Sequence, residues 1–371
     1  MALADMARSF EIGINRRGIV RHRRHGWLPK ILPYMGYGST ASVRILARAV
    51  MADPDARHDV SAQRGFHQFF TTQVGFLPVT VKVGERVIRT RTDSSGYVDI
   101  LVANHGLEPG VHSALLTPAQ GMPATAPVQI LNPHSTIGII SDVDDTVMVT
   151  KMPRAFIAAW NAFVLNTDAR QEVPGMSEFY QSLIQRYPSA PFFYLSTGAW
   201  NTEPAINAFL QQHGFPLGPI VLTDWGPTPT GLIRNGMEHK RTQLRNLLIS
   251  FPHMRWILIG DDGQHDPYVY EDLAREHPDR VAAIAIRELS PVEQVFSHGT
   301  PRTLDISDPI IARHFSVPEI RGKDGFELHA QLDTVAAALA SASDAPLFAP
   351  TTSPHSASSE ECSGEEREST R

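Results

Sequence analysis

The chain has 371 residues, enough for about two domains of ordinary size. Its hydrophobic fraction of 42% supports normal buried cores, and 39 acidic against 33 basic residues leave a net charge of −6, which argues against a general nucleic-acid binder. One cysteine, Cys362, excludes an internal disulfide and points to a reducing, cytoplasmic setting. No stretch reaches the roughly 20 apolar residues of a membrane span, and the N-terminus lacks the apolar core of a secretory signal.

Residues 1–30 are a basic segment in which Arg16, Arg17, Arg21, Arg23 and Arg24 lie close together. A solvated lead-in accounts for them. Attraction to an anionic membrane as a peripheral contact is the sharper reading, since each basic residue near such a surface contributes about 1 kcal/mol. Residues 31–133 read as a β-rich, sandwich-like domain that opens with ILPYMGYGSTASVRILARAV. Val79, Val81 and Val83 alternate with polar neighbours, the period of a strand with one buried face. Asp93-Ser94-Ser95-Gly96 is turn chemistry before the strand-like YVDILV, and PVQIL precedes Asn132-Pro133. Short strands at this spacing suggest a small sandwich. It holds no catalytic cluster, so a structural role or a surface for a protein partner is expected of it.

Over 134–320 the texture changes. The apolar runs TIGII, PFFYL, PIVLT, WILIG and VAAIAI alternate with the amphipathic segments MSEFYQSLIQRY, EPAINAFLQQH, HKRTQLRNLLISF and PYVYEDLARE. This is the pattern of an α/β fold, a parallel sheet with crossover helices, and strands so uniformly apolar are buried on both faces. An insert over 151–175 contains RAFIAAWNAFVL and is expected to be a small helical cap over the mouth of the site. The tail 341–371 is rich in Ser, Pro and Glu with few large apolar groups, so disorder is expected.

Ligands of open parallel sheets bind beyond the carboxyl ends of the strands. TIGII ends in Asp142, Asp144 and Asp145, PFFYL in Ser196 and Thr197, and WILIG in Asp261 and Asp262, with Asp266 shortly after. Two like charges about 4 Å apart repel by roughly 4 kcal/mol at an effective dielectric near 20. Such crowding calls for protonation or a cation. Hard carboxylate oxygens select Mg²⁺, which binds a few carboxylates together with a substrate phosphate. Lys240, at the start of a helical segment, adds a positive charge suited to a phosphoryl group.

Asp142-Val143-Asp144-Asp145-Thr146 after an apolar strand resembles the first signature of the haloacid dehalogenase superfamily. Ser196 resembles the second, Lys240 the third and GDDGQHD, Gly260 to Asp266, the fourth. FFYLSTGAWN, GMEHKRTQLRNLL and ILIGDDGQHDPYVY further resemble the catalytic domain of the actin-patch family of phosphatidate phosphatases. That family has Ser-Asn-Ser-Pro-Trp after its second strand; this chain has Ser196-Thr197-Gly198-Ala199-Trp200, keeping the first serine and the tryptophan.

The resemblance implies a Rossmann-like parallel sheet with a cap insert, behind the small β-sandwich. It also implies Mg²⁺-dependent hydrolysis of phosphatidate to diacylglycerol. Asp142 would be the nucleophile and Asp144 the general acid and base. Ser196 and Lys240 would hold the phosphoryl oxygens, and Asp142, Asp261 and the backbone carbonyl of Asp144 the metal. Asp266 would support Lys240 or a metal-bound water, with Asp262 beside it. His239 and His265 need no catalytic role, and Asp266-Pro267 would equally serve to start a helix. The motifs read the phosphoryl group and not its alcohol. A soluble phosphoester or phosphoprotein substrate, or a non-catalytic scaffold, therefore stays open at this point.

Overall fold

A computed structural model describes residues 17–54, 72–149, 171–223, 236–263, 265–298, 317–334 and 336–337. Most of the expected cap (residues 151–170), and the tail 341–371, lie outside the described residues.

The strand-period segments form one sheet of eight strands: β1 (Leu28–Pro33), β2 (Gly36–Gly38), β3 (Ser42–Ala52), β4 (Pro78–Val83), β5 (Arg86–Arg91), β6 (Tyr97–Ala103), β7 (Gly110–Pro118) and β8 (Ala124–Ile130). The order is β1-β3-β2-β8-β7-β4-β5, with β6 paired to β3. All ladders are antiparallel except β2 with β8. The expected β-rich domain is one hydrogen-bonded sheet, in which the short β2 links β3 to β8, and β5 also comes into contact with β6. Alternation turns Val79, Val81, Val83, Ala114, Leu116, Ala126 and Val128 onto one core with Val43, Ile45 and Ala47. The Asp93 turn is closed by its own carboxylate, which accepts the Ser95 and Tyr97 N–H groups at 2.8 Å each. β1 begins inside the basic segment, after helical residues 17–24.

The second sheet comprises β9 (Ile137–Asp142), β12 (Phe192–Ala199), β13 (Ile220–Thr223), β14 (Arg255–Asp261), β15 (Val281–Arg287) and β16 (Glu319–Gly322), in the order β13-β12-β9-β14-β15-β16 and parallel throughout. The two-residue strands β10 (Met148–Val149) and β11 (Gln171–Glu172) form a separate pair. The sheet is accompanied by the helices α1 (Met176–Arg186), α2 (Glu203–Gln212), α3 (Gly236–Ser250), α4 (Asp266–Glu276), α5 (Pro291–His298) and α6 (Gly325–His329). The five apolar runs are the first five strands of this sheet. β16 was not expected, because EIRG is too short for its alternation to register. Helix α1 buries Met176, Phe179, Tyr180 and Leu183, the i, i+3, i+4, i+7 stripe that its sequence shows. No described helix is long and apolar enough to cross a membrane.

From β9 the chain moves to β12 and β13 on one side, then returns to β14 on the other. That reversal makes the carboxyl ends of β9 and its neighbours the switch point of the sheet, the usual ligand position in open parallel sheets.

The two sheets share a core. Tyr34, Tyr37, Leu46 and Leu131 pack with the apolar residues of the parallel sheet. The Tyr37 ring meets Phe193 edge-on at 5.1 Å, and Tyr34 stacks on Trp200 at 4.8 Å. Trp200 directly follows β12, the strand that carries the candidate site residue Ser196, so the β-rich sheet braces the end of that strand. Tyr34→Ala is expected to cost about 3 kcal/mol, since it removes a buried ring and the stack on Trp200, while Tyr34→Phe stays near wild type. Denaturant midpoints check this; an unchanged midpoint for Tyr34→Ala would mean that the shared core contributes nothing.

Candidate active site

Asp142 is the last residue of β9. In register it pairs with Leu195 on β12, and the preceding Ser141 pairs with Ile259 on β14. Ser196 and Asp261 therefore arrive almost level with Asp142 from the two flanking strands. Helix α3 supplies Lys240, and α4 begins with Asp266. The Lys240 ammonium lies 2.6 Å from Asp142 Oδ1 and 2.5 Å from Asp266 Oδ1. Carboxylate oxygens of Asp142, Asp261 and Asp266 all come within 4.8 Å of one another. The Thr146 hydroxyl sits 3.4 Å from both Asp142 Oδ2 and Asp261 Oδ2. Beside this cluster Ser196 Oγ donates to Asp144 Oδ2 at 3.0 Å and accepts the Gly198 N–H at 2.9 Å.

The cluster is almost dry. Asp142, Asp261, Asp266 and Lys240 retain 2%, 1%, 0% and 5% of their exposure, so their charges interact through protein rather than water. Burial, the largest cause, pushes the Asp142 carboxyl up to about 8; Asp266 and Asp144 add to this, and Lys240 opposes it. Asp261 is raised well above the usual range by burial, then by Asp266, Asp142 and Asp145. Burial alone would lower Lys240, but Asp142, Asp266 and Asp261 outweigh it, and the ammonium is held in its charged form. Three carboxyls around one ammonium leave surplus negative charge, so at neutral pH the cluster favours retaining a proton or taking up a cation. The donors are hard oxygens, and Asp266 Oδ2 is buried without a hydrogen-bond partner among the described residues. The set fits a divalent metal bound through oxygen.

Glycine is required at position 260. A Cβ there would lie 2.5 Å from Asp266 Oδ2 and 2.8 Å from Tyr270 Cε2, so a side chain would push Asp266 off Lys240. Asp261 Oδ1 is oriented by the Gly263 N–H at 2.7 Å.

The remaining acidic residues are placed differently. Asp262 points away from the cluster: its Oδ1 accepts the Leu289 N–H at 2.8 Å and its N–H bonds the Arg287 carbonyl. It holds the loop after β15. Asp145 adopts φ 58, a left-handed conformation that aspartate tolerates better than most residues, in the turn after β9. Its carbonyl accepts from Arg287 Nη1 at 2.7 Å, and Arg287 Nη2 in turn pairs with Glu293. Sequence reasoning missed Arg287 and left Thr146 without a role. Thr146 belongs to the first motif and was within reach; nothing local marks Arg287, whose contact spans the sheet.

Residues 137–288 match the family model of the phosphatidate phosphatase APP1 catalytic domain, a span that includes Asp142, Asp144, Ser196, Lys240, Asp261 and Asp266. Over this span the chain is similar to the APP1-type catalytic domain. Phosphatidate phosphatase APP1 of Saccharomyces cerevisiae is 28% identical over 201 residues, covering 53% of this chain and 34% of that protein. An uncharacterized protein of Schizosaccharomyces pombe is 28% identical over 157 residues, covering 41% of this chain and 25% of its own. The chain thus spans about a third or less of the length of these curated relatives. Among solved structures, a class C acid phosphatase from Bacillus anthracis with tungstate bound matches at 19% identity and a TM-score of 0.27, covering 39% of this chain and 63% of that one; so slight a likeness carries no argument. The APP1-type match begins at the first residue of β9 and ends just past β15. The eight-stranded sheet lies wholly outside it.

Proposed function

We propose that the protein is a Mg²⁺-dependent phosphatidate phosphatase of the haloacid dehalogenase type, with residues 134–320 as the phosphatase domain and 31–133 as a β-domain that braces it. The observation that carries the reading is the meeting of Asp142, Asp261, Asp266 and Lys240 in one buried cluster, with the Asp144–Ser196 pair beside it.

In this reading Asp142 attacks phosphorus and the bond from phosphorus to the glycerol oxygen breaks, giving an aspartyl-phosphate. Asp144 delivers a proton to the departing oxygen, which leaves as diacylglycerol. Asp144 then takes a proton from a water whose oxygen attacks the same phosphorus; the bond from phosphorus to the Asp142 oxygen breaks, which releases inorganic phosphate and restores the Asp142 carboxylate. Ser196 and Lys240 hold the phosphoryl oxygens. Asp266 keeps Lys240 charged and aimed, and Thr146 orients the facing oxygens of Asp142 and Asp261. Mg²⁺ would be held by Asp142, Asp261 and the backbone carbonyl of Asp144, and would supply positive charge against the phosphate and the crowded carboxylates.

The purified chain is expected to release phosphate from dispersed phosphatidate and from an aryl phosphate when Mg²⁺ is present, and to stop when EDTA is added. Its thermal midpoint should also rise with Mg²⁺, by the equivalent of about 2.7 kcal/mol at a hundredfold excess over the dissociation constant. Turnover of the aryl phosphate without turnover of phosphatidate would move the substrate to a soluble phosphoester. No metal-dependent turnover of either would remove the reading.

A further inference from the structure

Away from the acidic cluster, three separate pieces of chain build a cationic surface with apolar tips. Helical residues 17–24 carry Arg17, Arg21, Arg23 and Arg24, and Lys30 follows on β1; all five side chains are exposed. Arg23 Nη2 lies 3.4 Å from Gln120 Oε1, which ties the helical segment to the turn between β7 and β8. Met122 in that turn bridges to Lys30 through the backbone. Gly121, at φ +99, presses the turn so close to β1 that a Cβ would meet the Pro29 carbonyl at 1.9 Å. Met122 is 79% exposed, Val20 48% and Leu28 47%, and Trp27 lies half-buried against His22 at 4.1 Å.

The ion pairs observed among the described residues include none of these five cations. The acidic residue next along the ladder is Asp53, one position past Ala52, the register partner of Leu28. On a chain with a net charge of −6 this is a local concentration of positive charge. A nucleic acid would match the arginines but has no use for exposed Met122, Val20 and Leu28. Cations at headgroup level with apolar side chains reaching the acyl boundary are what an anionic bilayer binds.

We propose that this surface docks the protein on an anionic phospholipid bilayer. The inference extends the function proposed above, since a lipid substrate would lie in the same bilayer, but the docking itself needs no turnover.

Flotation of the full chain with vesicles tests it. Wild type is expected to float with phosphatidylcholine vesicles containing phosphatidylglycerol and not with phosphatidylcholine alone, with binding that weakens as salt is raised. The triple reversal Arg21→Glu, Arg23→Glu, Arg24→Glu should lower partitioning roughly 100-fold or more. Met122→Asp should lower it roughly fivefold, by removing an apolar tip. Wild type that stays with the unbound fraction, or a triple reversal that floats as well as wild type, would overturn the proposal. So would retention on heparin without flotation, which would point to an acidic macromolecule. Hydrolysis of a soluble aryl phosphate should be the same in all these variants. Its absence from wild type would remove the proposed activity and leave the flotation result to stand by itself.

Discussion

Asp142→Asn is expected to lower turnover by on the order of 10⁴-fold or more while leaving the fold intact. The amide keeps the size of the carboxyl and ends the same buried strand, but lacks the charge needed to attack phosphorus. Stability should hold or rise slightly, because the substitution removes one of three crowded buried carboxyls and Lys240 keeps its contact with Asp266 at 2.5 Å. Single-turnover measurements on an aryl phosphate check the chemistry, and thermal melting checks the fold. Turnover near wild type would end the assignment of Asp142 as nucleophile. Loss of turnover together with loss of folding would mean that the residue is structural.

Lys240→Met should act on both stability and rate. Lys240 is the cation that touches Asp142 and Asp266, and it is almost fully buried. Removing it leaves three carboxyls with no ammonium among the described residues to balance them. Breaking a buried charge network by deleting one partner costs about 3–5 kcal/mol, a large part of the roughly 5–15 kcal/mol by which proteins are stable. The loss should be greatest in EDTA and partly recovered with Mg²⁺, because both cations neutralise the same oxygens. The rate should fall by roughly 10²–10³, as for removal of a positioned donor to a developing charge. Denaturant titrations with and without Mg²⁺ separate the two effects. Equal stability of Lys240→Met and wild type in EDTA would show that protonation alone relieves the carboxyls. Double substitution with Asp142→Asn should then restore little, whereas the ion-pair account requires it to restore part of the loss.

Much of the site could be read in one dimension because its residues sit at the ends of uniformly apolar runs. TIGII, PFFYL and WILIG are β9, β12 and β14, three adjacent parallel strands, so the groups that follow each run lie side by side. Asp142, Ser196 and Asp261 needed only that rule and the order of the motifs. Asp145 and Asp262 could not be assigned in this way. Each neighbours a cluster residue in sequence, yet the left-handed turn at Asp145 and the bond from Leu289 to Asp262 turn them to other tasks. The same limit hid Arg287, Thr146 as a link between two strand ends, and the strand β16.

From sequence alone come the alternation of strand and helix, the apolar runs that must be buried, and the crowding of aspartates that demands a counter-charge. These follow from side-chain chemistry and from periods of two and 3.6 residues, which are local properties of the chain. The tertiary structure decided which carboxylates share Lys240, that β9 lies between β12 and β14, and that Tyr34 of the first sheet stacks on Trp200 beside the site. Those facts depend on which distant segments bury one another. Residues such as Asp142 and Asp261 meet across more than a hundred positions only because their strands exclude water together, and no local period records such a meeting.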